Sequence, residues 1–409
     1  MMRINKVLSL GLLLATATNQ MAQDSSATKA RIELSGNYAI NSNAITAKFY
    51  EHFYYGGFID NELKDQVAHR LSANNSFGVE AESKVLYFSE PIIGQWSVYA
   101  GLGYSVDLGT QFTRDLFNVV FYGNAAYANK TADLSETQVK YLESQSLHFG
   151  LSRALKTDSS TAKKSIQFGF NVVKGQNWYD IKVDKGSLFT EQNGAFLDIV
   201  LKGNSYHSDN TRSDLAAFNG VGLGLNFAYK VEKKNGIQYS VELANLGLMQ
   251  WGAHSVHSSV DTSFHFEGLA INNIFTISDS TFNNISVAGA SDHLKSETKS
   301  QTMVLPFTIR GKYLYPLNAN NYLTAELNYK YWANYIPKLM LSYGYRLSTL
   351  WSVELSGGYG GYGQMHAGLA AKYSAAHVQL SAGASDFLGF VAPSSFSNQG
   401  AFVMASYVF

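Results

Sequence analysis

The sequence predicts an all-β fold: a transmembrane antiparallel β-barrel of about 14 strands, with 16 as the alternative. Three observations predict it. The first is a strict alternation of apolar and polar or small residues over long segments, which puts successive side chains on opposite faces of a strand. It is clearest at 220–248, where Val221, Leu223, Leu225, Phe227 and Tyr229 alternate with Gly222, Gly224, Asn226, Ala228 and Lys230. After Asn235-Gly236, Ile237, Tyr239, Val241 and Leu243 resume the alternation, and Asn-Gly predicts a type I′ hairpin turn there. The second is the aromatic enrichment of the apolar face near strand ends, at Tyr313, Tyr315, Tyr322, Tyr329, Tyr331, Trp332, Tyr343, Tyr345 and Trp351. Such residues build the girdles at the two lipid–water interfaces. The third is the ending, Ala401, Val403, Ala405, Tyr407 and Phe409 in alternation. Tyr407 and Phe409 resemble the C-terminal insertion signal through which barrel-assembly machinery recognises outer-membrane proteins. A secreted β-sandwich or propeller is the competing architecture, but its strands are shorter and its apolar face is buried.

The composition agrees. The chain of 409 residues carries 31 basic and 31 acidic side chains, so it lacks the basic surplus that nucleic-acid binding requires. Charged residues make up 15%, below the roughly 25% of a soluble domain. With 26 Tyr, 25 Phe, 35 Gly and only 5 Pro, long strands meet few interruptions. The absence of Cys excludes disulfides, thiolate metal sites and a cysteine nucleophile.

Residues 1–22 read as a signal peptide: Arg3 and Lys6, an apolar run over 7–17, and a cleavage point after Ala22. That run is short of the roughly 20 residues of a spanning helix, so export to a Gram-negative outer membrane is expected. Residues 23–409 then form one barrel domain. A strand is expected over 31–38, inside or beside the barrel. The period changes at 41–75, where Ile45, Phe49 and Phe53, then Ile59, Leu63, Val67 and Leu71, are spaced by four around Gly56-Gly57, with Asp60 placed to cap. This predicts helix, hinge, helix. The insertion is either a loop excursion or a plug packed inside the barrel, with Phe49, Phe53, Gly56, Gly57, Leu63 and Val67 as plug candidates. Strands follow over 77–89 and 96–108, a short helix capped by Thr113 over 113–124, then strands over 140–155, 165–174 and 194–202; 179–188 is one more strand in the 16-stranded alternative. After the hairpin, 251–303 is long and polar, the pattern of an extracellular loop. Seven more strands run over 304–315, 322–332, 338–347, 350–359, 365–373, 377–385 and 400–409.

The turns at 233–236, 317–321, 348–349 and 374–376 are tight, and the intervening connections are longer. Outer-membrane barrels place short turns in the periplasm and long loops outside. The opposite, inward phase carries Glu80, Glu82, Lys84, Asp107, Glu242, Arg310, Lys312, Glu326, Lys330, Arg346 and Glu354. These are either structural ion pairs across the interior or the lining of a polar pathway. Inward Gly222, Gly224, Ser342, Gly344, Ser356, Gly358, Ser381 and Gly383 leave space for water or for a folded-in segment.

Residues 41–44, Gly56-Gly57 before 58–60, and Phe121-Tyr122-Gly123-Asn124 resemble landmarks of an uncharacterised family of Bacteroidota-type outer-membrane barrels. The resemblance covers nearly the whole mature chain and implies no assigned biochemistry. It also implies a distant similarity to the long-chain fatty-acid transporter superfamily and to barrels associated with type IX secretion. Fatty-acid transporters place their hatch before the first strand, whereas a strand precedes the candidate plug here, so no ligand site is carried over.

No Gly-x-Ser-x-Gly elbow, phosphate loop, His-Glu-x-x-His or calcium loop occurs, so neither an enzyme nor a cofactor is expected. His254, His257 and His265 lie in the long polar segment, where solvated histidines are commoner than metal ligands. The expected function is passive transport of small molecules, hydrophobic ones included; the alternative is a structural or secretion-accessory barrel that binds partner proteins. Expected partners are outer-membrane lipid, the assembly machinery, and a small hydrophobic ligand or an envelope protein.

Overall fold

The computed structural model describes residues 29–155, 162–209, 211–212, 214–266 and 295–409. The proposed signal peptide and most of the polar 251–303 segment lie outside them. Fourteen antiparallel strands close into a barrel. Its staves are β1 (Arg31–Ser42), β2 (Asn74–Ile93), β3 (Trp96–Thr113), β5 (Gln138–Leu155), β6 (Ala162–Thr190), β8 (Gly220–Lys233) and β9 (Gln238–Trp251). They continue through β13 (Thr308–Pro316), β14 (Asn321–Lys330), β15 (Ile336–Arg346), β16 (Trp351–Gly361), β17 (Gln364–Ser374), β18 (Val378–Asp386) and β19 (Gln399–Val408). Closure is made by β1, which pairs with β2 from Arg31↔Phe88 to Ser42↔Phe77 and with β19 from Arg31↔Val408 to Ile40↔Gln399. The first strand is therefore a full stave of the wall. The terminal Tyr407 and Phe409 stand at this seam, with the Phe409 N–H donating to the Ala30 carbonyl at 3.0 Å.

The outward face is apolar and uncovered: Leu223 is 55% exposed, Leu341 59% and Leu355 57%. A closed ladder satisfies every wall N–H and C=O, which is what lets such a face meet lipid. No helix among the described residues is long and apolar enough to cross a membrane. Short turns join β8 to β9, β13 to β14, β15 to β16 and β17 to β18 at one end; longer connections emerge at the other, where the expected longer link between β16 and β17 is instead the two-residue turn Tyr362-Gly363. The Asn235-Gly236 turn is not type I′: only Gly236 has positive φ, at 81°, and its N–H donates to the Lys233 carbonyl at 2.9 Å. The extra residue makes this a type I turn closed by a left-handed glycine.

Two expected strands, 165–174 and 179–188, are one. At 29 residues β6 far outruns the roughly ten that cross a bilayer. Its first half pairs with β8 and its second half leaves the wall. Beyond the long-loop rim it pairs with β4 (Lys130–Asp133) and β7 (Leu197–His207), and β7 pairs with β10 (Val256–Phe266), which meets β11 (Lys295–Thr298). The strand expected at 194–202 thus belongs to this outer sheet rather than to the barrel. β12 (Gln301–Val304) pairs with the end of β9 and leads into β13.

The helices form where expected. α1 (Ala47–Tyr55) is capped by Thr46 and ends at Gly56, φ 81°. α2 (Asn61–Ala68) is capped by Asp60, whose carboxylate accepts from the Leu63 N–H at 2.8 Å. α3 (Arg114–Tyr122) is capped by Thr113. A short α4 (Leu388–Val391) lies between β18 and β19.

Candidate functional site

The lumen is set by strand phase. Antiparallel partners share a face, so Glu80, Glu82 and Lys84 of β2 point the same way as Asp107 of β3, and Glu242 of β9 the same way as Arg310 of β13. Stave β14 stands seven places from β2 in either direction round the wall, directly opposite it. Lys330 of β14 nevertheless reaches Glu80 at 2.6 Å and also pairs with Asp107, so this contact spans the interior. Arg310 lies 3.3 Å from Glu326 and 3.6 Å from Glu242. Lys84 pairs with Glu82 at 2.8 Å, and Lys372, which the inward set above did not include, pairs with Glu354. Lys312 lines the same space. Arg346 stands apart at the short-turn rim, donating to the Ala319 carbonyl at 2.6 Å. A cavity of about 400 Å³ lies among these groups, walled by Glu33, Glu82, Lys84, Arg310, Lys312 and Glu326 among others.

The plug candidates do not enter this space. Phe49, Leu63 and Val67 pack with Leu71 and Phe117 into a cluster of the three helices. Phe53 is 69% exposed, Gly56 caps α1 and Gly57 follows it. Ala47 and Tyr50 pack with Ile40, Tyr38, Phe77 and Val79. Those wall residues share the phase of Val85 and Tyr87, the outward phase. The helical insertion is therefore a collar on the outside of the long-loop rim.

The lumen is filled from within by residues the sequence reading passed over or, for Trp332, placed in the outer girdle. Leu142, Val173, Trp178, Met249, Trp251, Leu305 and Trp332 form one buried cluster. Trp178 and Trp251 stack at 5.3 Å with planes 10° apart. Trp251 lies where side chains on Gly175 and Gly220 would point, with built Cβ atoms only 2.6 and 2.8 Å away. Tyr362, on the tight turn between β16 and β17, occupies the space over Gly78 and Gly109. Tyr335 meets it edge-on at 5.2 Å. The turn is pinned by buried His366, whose Nδ1 is 2.8 Å from Asp386 and whose Nε2 is 2.9 Å from the Gly360 carbonyl. At the other end Arg31 lies 3.7 Å over the ring of Phe88, itself 5.1 Å from Tyr99.

Inward glycines therefore seat neighbouring side chains instead of leaving room: Met249 is over Gly222, Asn245 over Gly224 and Tyr322 over Gly344. Tyr322 and Trp332 correct the girdle assignment, since both are buried. Trp251 is in register with Gly220 and hence inward, after a register shift between Leu225 and Phe227 resets the phase of the strand pair.

Trp178, Trp251 and Trp332 have indole N–H groups without a hydrogen-bond partner among the described residues, as does the Tyr362 hydroxyl. The histidines of the polar segment do not converge: His257 contacts Glu297 at 3.0 Å and His265 contacts Asp198 at 2.5 Å. No group of three or more potential metal ligands occurs among the described residues.

Residues 22–385 match a family described as "Family of unknown function (DUF5723)". No curated protein matches the chain. Among solved structures, the translocator domain of the autotransporter NalP from Neisseria meningitidis is similar at 10% identity, over 99% of this chain and 96% of that one, with a TM-score of 0.37. The toluene transporter TodX of P. putida is similar at 9% identity over 98% and 94%, with a TM-score of 0.43. A Pseudomonas aeruginosa FadL homologue is similar at 10% identity over 93% and 91%, with a TM-score of 0.39.

Proposed function

The chain belongs to this family of unknown function, and we propose that it is an outer-membrane barrel passing small polar solutes through a lumen closed at rest. The observation that carries this reading is the cavity of about 400 Å³, lined by charges of both signs, beneath an aromatic seal at the long-loop end. A hydrophobic cargo suits such a lining poorly, because it would strip water from the charges without replacing it. Polar solutes exchange hydrogen bonds with the same groups.

The seal has the character of a gate. It is held by ring packing, and each buried donor left unpaired costs about 1–3 kcal/mol. Opening to water recovers those hydrogen bonds at the expense of apolar burial, so the two contributions oppose each other. The short turns face the periplasm in this reading and the seal faces outward.

Uptake into proteoliposomes tests the proposal. Small zwitterionic and charged solutes enter while apolar solutes of equal size gain nothing over protein-free vesicles. Equal exclusion of all polar solutes, under conditions that open the seal, would sink it. A second reading, a secretion-accessory barrel, is favoured by the outer sheet of β4, β7, β10 and β11. Among the described residues β11, four exposed residues long, pairs on one side only and offers its other edge to a partner strand. Stoichiometric recovery of an envelope protein on cross-linking would favour this reading.

A further inference from the structure

We propose that the three-helix collar is a membrane-interface anchor, its apolar flank docked on the outer leaflet beside the barrel. The inference rests on the membrane-barrel reading and adds a second lipid contact that the wall does not supply. Two faces of the collar differ. Its inner residues, Phe49, Leu63, Val67 and Phe117, pack on one another. Its outer residues include Phe53, Tyr55 and Phe58, exposed by 69, 73 and 85%, and Val120, exposed by 62%. By contrast the exposed positions of α2, Asn61, Glu62, Asp65 and His69, are polar.

So many uncovered aromatics along one helix and its hinge exceed what a water-facing loop carries. What covers them is set by continuity. α1 packs through Tyr50 and Ala47 on the outward wall residues Tyr38, Ile40 and Val79. Four residues down β1 from Tyr38, in the same phase, Leu34 is 44% exposed on the lipid face. The exposed aromatics thus extend the lipid-facing surface sideways at the rim. Amphipathic rings at that depth are the side chains that interfaces retain, apolar body in the acyl boundary and hydroxyl in the headgroups. The occupant is bilayer lipid.

The chain has no cysteine, so one substitution gives one labelling site. Full-length Phe58→Cys, Tyr55→Cys, Glu62→Cys and Leu355→Cys would each carry a nitroxide in phosphatidylethanolamine–phosphatidylglycerol vesicles. Collision with oxygen is then compared with collision with a water-soluble nickel chelate. The expected result is an oxygen-to-nickel ratio at 55 and 58 shifted several-fold towards that at 355 and away from that at 62. Tyr55→Cys keeps Phe58 in place, so loss of one ring does not decide the outcome. Ratios at both 55 and 58 equal to that at 62 would overturn the proposal, whether water or a protein partner covers the collar in the cell. A water-like ratio at 355 would instead overturn the barrel reading beneath it.

Discussion

Replacing Lys330 by Met removes the cation that joins opposite walls of the lumen. Its ammonium pairs with Glu80 at 2.6 Å and with Asp107, and the three side chains are only 12, 20 and 10% exposed. Removing one partner of a buried pair costs about 3–5 kcal/mol, because the other charge stays buried without compensation. Here two carboxylates are abandoned together, but the adjoining cavity lets them relax, so the lower end, about 3 kcal/mol, is expected. The contrast is the pair Lys182–Asp184 on the outer sheet, 58 and 39% exposed, where loss costs at most about 1 kcal/mol. Denaturant unfolding in detergent micelles, followed by tryptophan fluorescence, measures both. The triple replacement Lys330→Met, Glu80→Gln, Asp107→Asn removes all three charges and should recover most of the loss. A Lys330→Met cost below about 1 kcal/mol, equal to that of the exposed pair, would refute the cross-lumen pairing.

Other consequences follow from single contacts. Gly78→Val puts methyl groups where the Tyr362 ring lies, so the ring must leave its seat and basal conductance should rise; unchanged conductance in a folded variant would show that Tyr362 does not help close the lumen. Asp60→Ala removes the cap on α2 and costs about 0.5–2 kcal/mol locally. Amide exchange should therefore quicken over 61–68 while β2 and β3 stay protected. His366→Ala frees the turn that carries Tyr362 and removes a hydrogen-bond partner of buried Asp386. It should loosen the seal and lower stability together, whereas a variant as closed and as stable as the parent would remove the turn from the gate.

The wall was legible because its chemistry is local. Alternation over Val221 to Tyr229 reports two faces whatever lies around them, and Asp60 and Thr113 mark helix starts by their own hydrogen bonds. Which side of the wall the collar occupies was not legible. Phe49 and Phe53 have equal apolarity, and only the path from Ser42 to Asn74 sends one into the helix cluster and the other into the open. The inward glycines misled for a related reason. A missing side chain reads as room, but Trp251 reaches in from β9 and Tyr362 from the turn between β16 and β17, several staves from Gly78 and Gly109, in a register that the sequence does not print. The run 165–190 looked like two strands because Gly175 to Asn177 resembles a turn. The chain instead absorbs that extra length as a bulge opposite Glu143 and Ser144.

Conductance across planar bilayers tests the aromatic gate most directly. Trp251 fills the lumen at Gly175 and Gly220, and Tyr362 fills it at Gly78 and Gly109. The parent protein should be closed for most of the record, with rare brief openings. The double variant Trp251→Ala, Tyr362→Ala, shown to be folded by its resistance to unfolding in cold detergent, should conduct continuously and pass ions of both signs. A folded double variant as silent as the parent would contradict the account.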